Sequence, residues 1–203
     1  MADRILMNKN TLAALKEELK EFNTAVPVFE MKEQKLKEVV RVIETSIDRL
    51  KQSIEKTNEE TKKWVAVMAE EAVDFTEIVK VDRIVAEKRE IAGVAIDEFE
   101  DILFEPVEED LFNTPLWMDA AVEVIQDQKS NYTFLKFEER NLALLREELI
   151  EARRMKNALL EVFIPETVSN IRKIEIYLGD VERLAIGCAK LVKKKKENKN
   201  VSV

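Results

Sequence analysis

The sequence predicts a mainly α protein: two long helices forming an antiparallel left-handed coiled coil, with a short β-hairpin and an acidic loop between them. Three observations predict it. Glycine and proline are scarce, 3 and 4 in 203 residues, so turns must be few. Charged residues make up 36% and apolar residues 46%, a balance typical of long helices. Apolar residues also recur at alternating steps of three and four through the first third of the chain, the spacing of a coiled-coil seam.

The chain is expected to be one elongated domain over residues 1–203. The first long helix is expected over 8–71, with Asn10 as its N-cap. Its seam runs Leu12, Leu15, Leu19, Phe22, Val26, Phe29, Glu33, Leu36, Val40, Ile43, Ile47, Leu50, Ile54, Thr57, Thr61, Trp64 and Met68. Only Glu33, Thr57 and Thr61 are not apolar. A helix of that extent is roughly 90 Å long, too long for any globular core of this chain to cover.

The middle section, 72–113, changes character. Glu77 to Val85 is rich in β-branched residues, and Arg89 to Ile96 is a candidate mate, giving a hairpin over 77–96. Asp97 to Asp110 carries eight acidic residues in fourteen and no basic one, and is expected to be a loop. It lacks the spacing of an EF-hand, so a solvated loop is the simpler reading. Thr114-Pro115 with Asp119 then opens the second long helix, over 114–196, and 197–203 forms a tail.

That second helix carries two seams. Leu135, Leu142, Leu145, Leu149, Ala152, Leu159 and Phe163 form one. Leu160, Ile164, Thr167, Ile171, Ile174, Leu178, Val181, Ala185, Cys188 and Val192 form another, displaced by one residue, so the register must slip near 152–160. Pro27 and Pro165 each remove a backbone donor from a helix, and an antiparallel pairing brings them near one level. Val39, Val42, Leu144 and Val162 lie off the seams and call for a further partner.

Several chemistries are excluded. The chain has no histidine, which removes His-based acid–base, nucleophile and metal systems. It has no glycine-rich phosphate loop. A net charge of −8 argues against nucleic acid as the main partner. No window approaches eighteen apolar residues, so no direct membrane insertion is expected. The single cysteine, Cys188, cannot form an intrachain disulfide and reads as a small seam residue. The run Lys193 to Lys196 suits a helix C-terminus. Trp64 and Trp117, near the inner ends of the helices, are candidate partner anchors or core residues. No catalytic residue, cofactor or metal site is expected.

One stretch is more specific. Arg153-Arg154-Met155-Lys156-Asn157-Ala158-Leu159, followed by Ile164-Pro165 and then Ile171, Ile174 and Leu178, resembles the D subunit of V-type and A-type rotary ATPases. Ile91-Ala92-Gly93-Val94 is similar to that family's central Ile-x-Gly-Val segment, and Leu12, Leu15, Lys16 and Leu19 to its opening run. The likeness is to a divergent member, since Met7 to Thr11 stands where the family usually has Pro-Thr-Arg. The resemblance implies a non-catalytic rotor shaft at the cytoplasmic face of a membrane. Its partners would be catalytic A and B subunits, a small F subunit and a socket subunit linking to the membrane ring. It implies interaction or coupling roles for Ile91, Gly93, Val94, Arg153, Arg154, Asn157, Ile164 and Pro165. A stand-alone coiled-coil adaptor or secretion accessory is the alternative, but a plain adaptor has no reason to interrupt its rod with a hairpin.

Overall fold

A computed structural model describes residues 5–63, 79–106 and 117–200, with side chains described to 196. The elements are α1 (Lys9–Lys62), β1 (Val81–Ile91), β2 (Val94–Phe104), α2 (Met118–Ala158), a π-helical turn (Leu159–Phe163) and α3 (Ile164–Asn200). Trp64, Met68, the start of the expected first strand, residues 107–116 and residues 201–203 lie outside the described residues. The chain divides into two compact units, one of 1–31 with 152–203 and one of 32–151.

The cap of helix α1 lies two residues before the expected one. Asn8 precedes the helix, and its side-chain oxygen accepts the Thr11 backbone N–H at 2.7 Å. That bond satisfies a donor the first turn cannot pair internally. From Leu12 to Thr61 every expected seam position is buried or half-buried, and Leu36, Val40, Ile43, Ile47 and Ile54 are buried. The polar seam members pair locally. Thr57 and Thr61 donate their hydroxyls to Ser53 O and Thr57 O, and Lys37 reaches Glu33 at 2.6 Å.

In each unit the partner strand runs opposite to α1. In the first unit Lys9 meets Glu182 at 3.5 Å and Lys16 meets Glu175 at 2.6 Å. In the second, Glu44 meets Arg146 at 2.6 Å, Lys51 meets Glu139 at 2.9 Å and Asn58 meets Tyr132 at 3.4 Å. Each step advances seven residues on one helix and retreats seven on the other. A strict seven-residue repeat imposes a left-handed supercoil. These exposed pairs contribute at most about 1 kcal/mol each, so they mark the register while the buried seam supplies the stability.

The displaced seams have a structural cause. Leu145, Ala152 and Leu159 are buried at intervals of seven, but the next buried positions, Thr167 and Ile174, begin eight residues on. The π-helical turn lies in that gap and supplies the extra residue. Ile164 N–H bonds Leu159 O, five residues back rather than four. Leu160 and Phe163, expected on the seams, are largely exposed at 43% and 42%. The Phe163 ring still touches that of Phe22, with centroids 5.8 Å apart. Pro27 and Pro165 lie near this contact, one on each strand.

Two expectations are corrected by the hairpin. Its turn is Ala92-Gly93, with φ of 53° and 82°, rather than a turn between Val85 and Arg89. Ile91 pairs with Val94, so this is a two-residue loop with both residues left-handed. The acidic stretch from Asp97 to Phe104 is strand, not loop. Within it Val94, Ile96 and Ile102 are buried while Glu98, Glu100 and Asp101 are exposed, so the acidic residues stand at the strand positions left open to solvent. Register irregularities at Val81/Arg83 and Val85/Ala86 interrupt the ladder.

Cys188 is exposed, not a core residue, and Val181 and Val192 are also exposed, at 44% and 54%. The seam continues along α3, but α1 starts at Lys9, whose ion pair is with Glu182. Nothing described in α1 remains to cover the turns beyond.

Candidate subunit interface

The hairpin docks on α2 through β2. Phe99 stacks on Phe134 at 5.4 Å and meets Phe137 at 5.7 Å, two rings one helical turn apart on α2. Asn141, only 3% exposed, donates its amide to Asp97 O at 2.8 Å. At the hairpin base Val79, Met118 and Val122 form a buried cluster, with Phe104, Trp117 and Ile125 packed against it. Lys129 donates its ammonium to Val79 O beside that cluster. Trp117 therefore sits half-buried at the base, and the Ile91 to Val94 turn lies at the opposite end of the hairpin.

Glu138 stands where three elements converge. It shares a hydrogen bond with Ser46 of α1 and feels the charge of Glu98 on β2. Burial pushes its carboxyl above the usual glutamate range, the Ser46 bond opposes that, and Glu98 adds to it. Glu98 itself is paired with Arg89 across the hairpin at 3.2 Å.

The residues singled out by sequence fall in separate places. Val94 is buried, Ile91 is half-buried and Gly93 is exposed at the hairpin turn. Arg153, Arg154 and Asn157 are exposed on the last turns of α2, while Ile164 is half-buried and Pro165 exposed just past the π-helical turn. Trp64 lies outside the described residues. Sequence reasoning missed Phe99, Phe134, Phe137 and Asn141, which hold the hairpin in place, and Glu138, which bonds Ser46 of α1 beside it. The spacing of Phe134 and Phe137, off the heptad seam, was the available signal.

Large apolar side chains remain uncovered. Val28 and Met31 on α1 and Met155, Val162 and Val168 on the opposing strand are 45–62% exposed. On α3, Ile176, Leu184, Ile186 and Leu191 are 57–69% exposed. Val42 and Leu144, expected to want a partner, are 64% and 39% exposed. Among the described residues no group of three or more acidic or thiol side chains is placed to hold a metal ion, and no helix is long and apolar enough to cross a membrane.

Antiparallel helices with a docked hairpin and bare apolar faces define a protein built for contact with other chains. Known proteins name the family. A model of the ATP synthase D subunit matches residues 11–194. The V-type ATP synthase D subunit of Borreliella burgdorferi is 32% identical over 199 residues, covering 97% of this chain and 98% of its own length. That of Chlamydia trachomatis serovar L2 is 26% identical over 201 residues, covering 96% and 97%. That of Chlamydia pneumoniae is 24% identical over 202 residues, covering 97% and 95%. The chain belongs to the ATP synthase D-subunit family.

Proposed function

We propose that the chain is the central shaft of a V-type rotary ATPase, a non-catalytic subunit of a membrane-associated complex. It carries rotation between an ATP-hydrolysing hexamer of A and B subunits and an ion-carrying membrane ring. A small F subunit and a socket subunit cover parts of its apolar surface, and it works at the cytoplasmic face without entering the bilayer. The observation that carries this reading is the heptad-spaced antiparallel pairing with a buried seam and bare outer faces. Such a pairing resists twisting because every seam side chain is held between two helices, while its outer faces are left for partners. The name of its relatives, the D subunit of V-type ATP synthase, supports the same assignment.

On this reading 1–203 works as a single elongated domain. Ile91, Gly93 and Val94 at the hairpin turn, with Arg153, Arg154, Asn157, Ile164 and Pro165 near the π-helical turn, are coupling or contact residues. Trp64 and Trp117 anchor the inner ends. The test is purification of the complex through a tag on this chain. A and B subunits are expected to copurify, and ATP-driven ion pumping should depend on the chain. Recovery of neither would overturn the reading.

A further inference from the structure

We propose that the π-helical turn at Leu159–Phe163 is a torsional joint, where twist applied to α3 is taken up before it reaches α2. The proposal rests on the shaft reading for the source of the torque; the mechanical property belongs to the chain alone.

Three observations converge on it. The turn holds one residue more than an α-helix needs, as the eight-residue interval from Leu159 to Thr167 shows between runs of seven. Apolar doublets surround the extra residue: Leu159 and Leu160, then Phe163 and Ile164. In the first doublet Leu159 is turned inward at 5% exposure and Leu160 is 43% exposed; in the second Ile164 is half-buried and Phe163, 42% exposed, keeps its ring against Phe22. Sliding the extra residue by one position exchanges the members of a doublet and buries a similar apolar area, so neighbouring registers lie close in energy. The hydrogen-bond ladder is also interrupted here. Pro165 has no N–H to give. A helix resists twist through that ladder and through packing, and both are reduced at this level.

The joint makes a prediction about deletion. Removing the exposed Glu161 leaves the Ile164 N–H to Leu159 O bond spanning four residues, an ordinary α-helical bond, and restores the interval of seven. Combined with Pro165→Ala, the deletion should give an unbroken helix.

The experiment is hydrogen exchange on the full chain. Amides at 160–164 are expected to exchange at least about tenfold faster than those at 145–158 and 167–174. Pro165→Ala alone should keep that fast exchange, because the extra residue remains. The deletion with Pro165→Ala should abolish it, with a melting temperature near that of the unmodified chain. Deleting the exposed Glu147 of α2, which displaces a seam with nothing to compensate, should lower melting by roughly 10 °C or more. Equal exchange across 145–174 in the unmodified chain would overturn the proposal. So would loss of fast exchange in Pro165→Ala alone, or equal damage from the two deletions. In the assembled ATPase, angular fluctuation of a probe fixed to the shaft should narrow in the deletion variant. Unchanged fluctuation would refute the joint and leave the shaft standing, whereas a chain that never rotates would refute the shaft and leave the exchange result intact.

Discussion

Replacing Ile43 and Ile47 together by Asp is the sharpest test of what the seam does. The two residues are 8% and 5% exposed and one helical turn apart; Ile43 adjoins Glu44 of the Glu44–Arg146 pair, and Ile47 lies between that pair and Lys51–Glu139. Each substitution forfeits roughly 1.5–3 kcal/mol of apolar burial. Each also places a carboxylate in the apolar seam, where the nearest cations, Lys51 and Arg146, are already paired with Glu139 and Glu44, a further cost of about 3–5 kcal/mol where the charge stays buried. The sum, on the order of 10 kcal/mol, rivals the whole stability of a typical domain. The helices should escape that cost by separating locally. Circular dichroism should then show melting lowered by roughly 20 °C or more, at about 2–4 °C per kcal/mol for a chain of this size. Ile43→Val with Ile47→Val, which keeps the seam apolar, should lose about 1–3 kcal/mol and remain paired. In the assembled complex the Asp variant should hydrolyse ATP without moving ions. Normal coupled pumping by that variant would refute the claim that the seam transmits torque.

Other expectations concern the hairpin. Ala92→Asn should stabilise it by about 0.5–1 kcal/mol, since asparagine accepts the left-handed conformation that Ala92 holds at φ 53°; amide exchange at Ile91 and Val94 would report it, and faster exchange would contradict the turn assignment. Asn141→Ala should cost about 1–3 kcal/mol by orphaning Asp97 O, measurable as a lower denaturant midpoint. Glu138→Gln should stabilise the protein at neutral pH and lose its advantage in acid. The folded-state pKa of Glu138 is raised, so its contribution is complete below the ordinary glutamate range and is lost as pH rises through the folded value. Melting curves from pH 4 to 8 would settle it, and an advantage for Gln that grows toward acid would reverse the assignment.

The legibility of the fold in the sequence varied with how many neighbours each element has. Helix α1 faces one partner strand, so its burial follows a single stripe and every described position of the expected seam was readable. Helix α2 must serve both α1 and the hairpin. Phe134, Phe137 and Asn141 answer to β2, while Glu139 and Arg146 answer to α1, and the two demands blur the period. The hairpin turn was misplaced because Ala92 carries none of the usual signals for a left-handed position. The strand beyond it is hidden in the sequence because its acidic residues mask the apolar positions Val94, Ile96, Phe99 and Ile102 between them. The periodicity that places Cys188 on a seam does not reveal where the partner helix begins, which is why the residue is exposed. The one-residue displacement of the seams, by contrast, was visible in the spacing, and the π-helical turn is its physical form.

The docked hairpin has a consequence for symmetry. Two helices wound together present nearly the same profile from every azimuth. Strand β2 lies against α2, and β1, exposed along almost all its length, stands out beside it. This unit therefore has a heading: a partner meeting it from the hairpin side finds strands, and one meeting it from elsewhere finds helix.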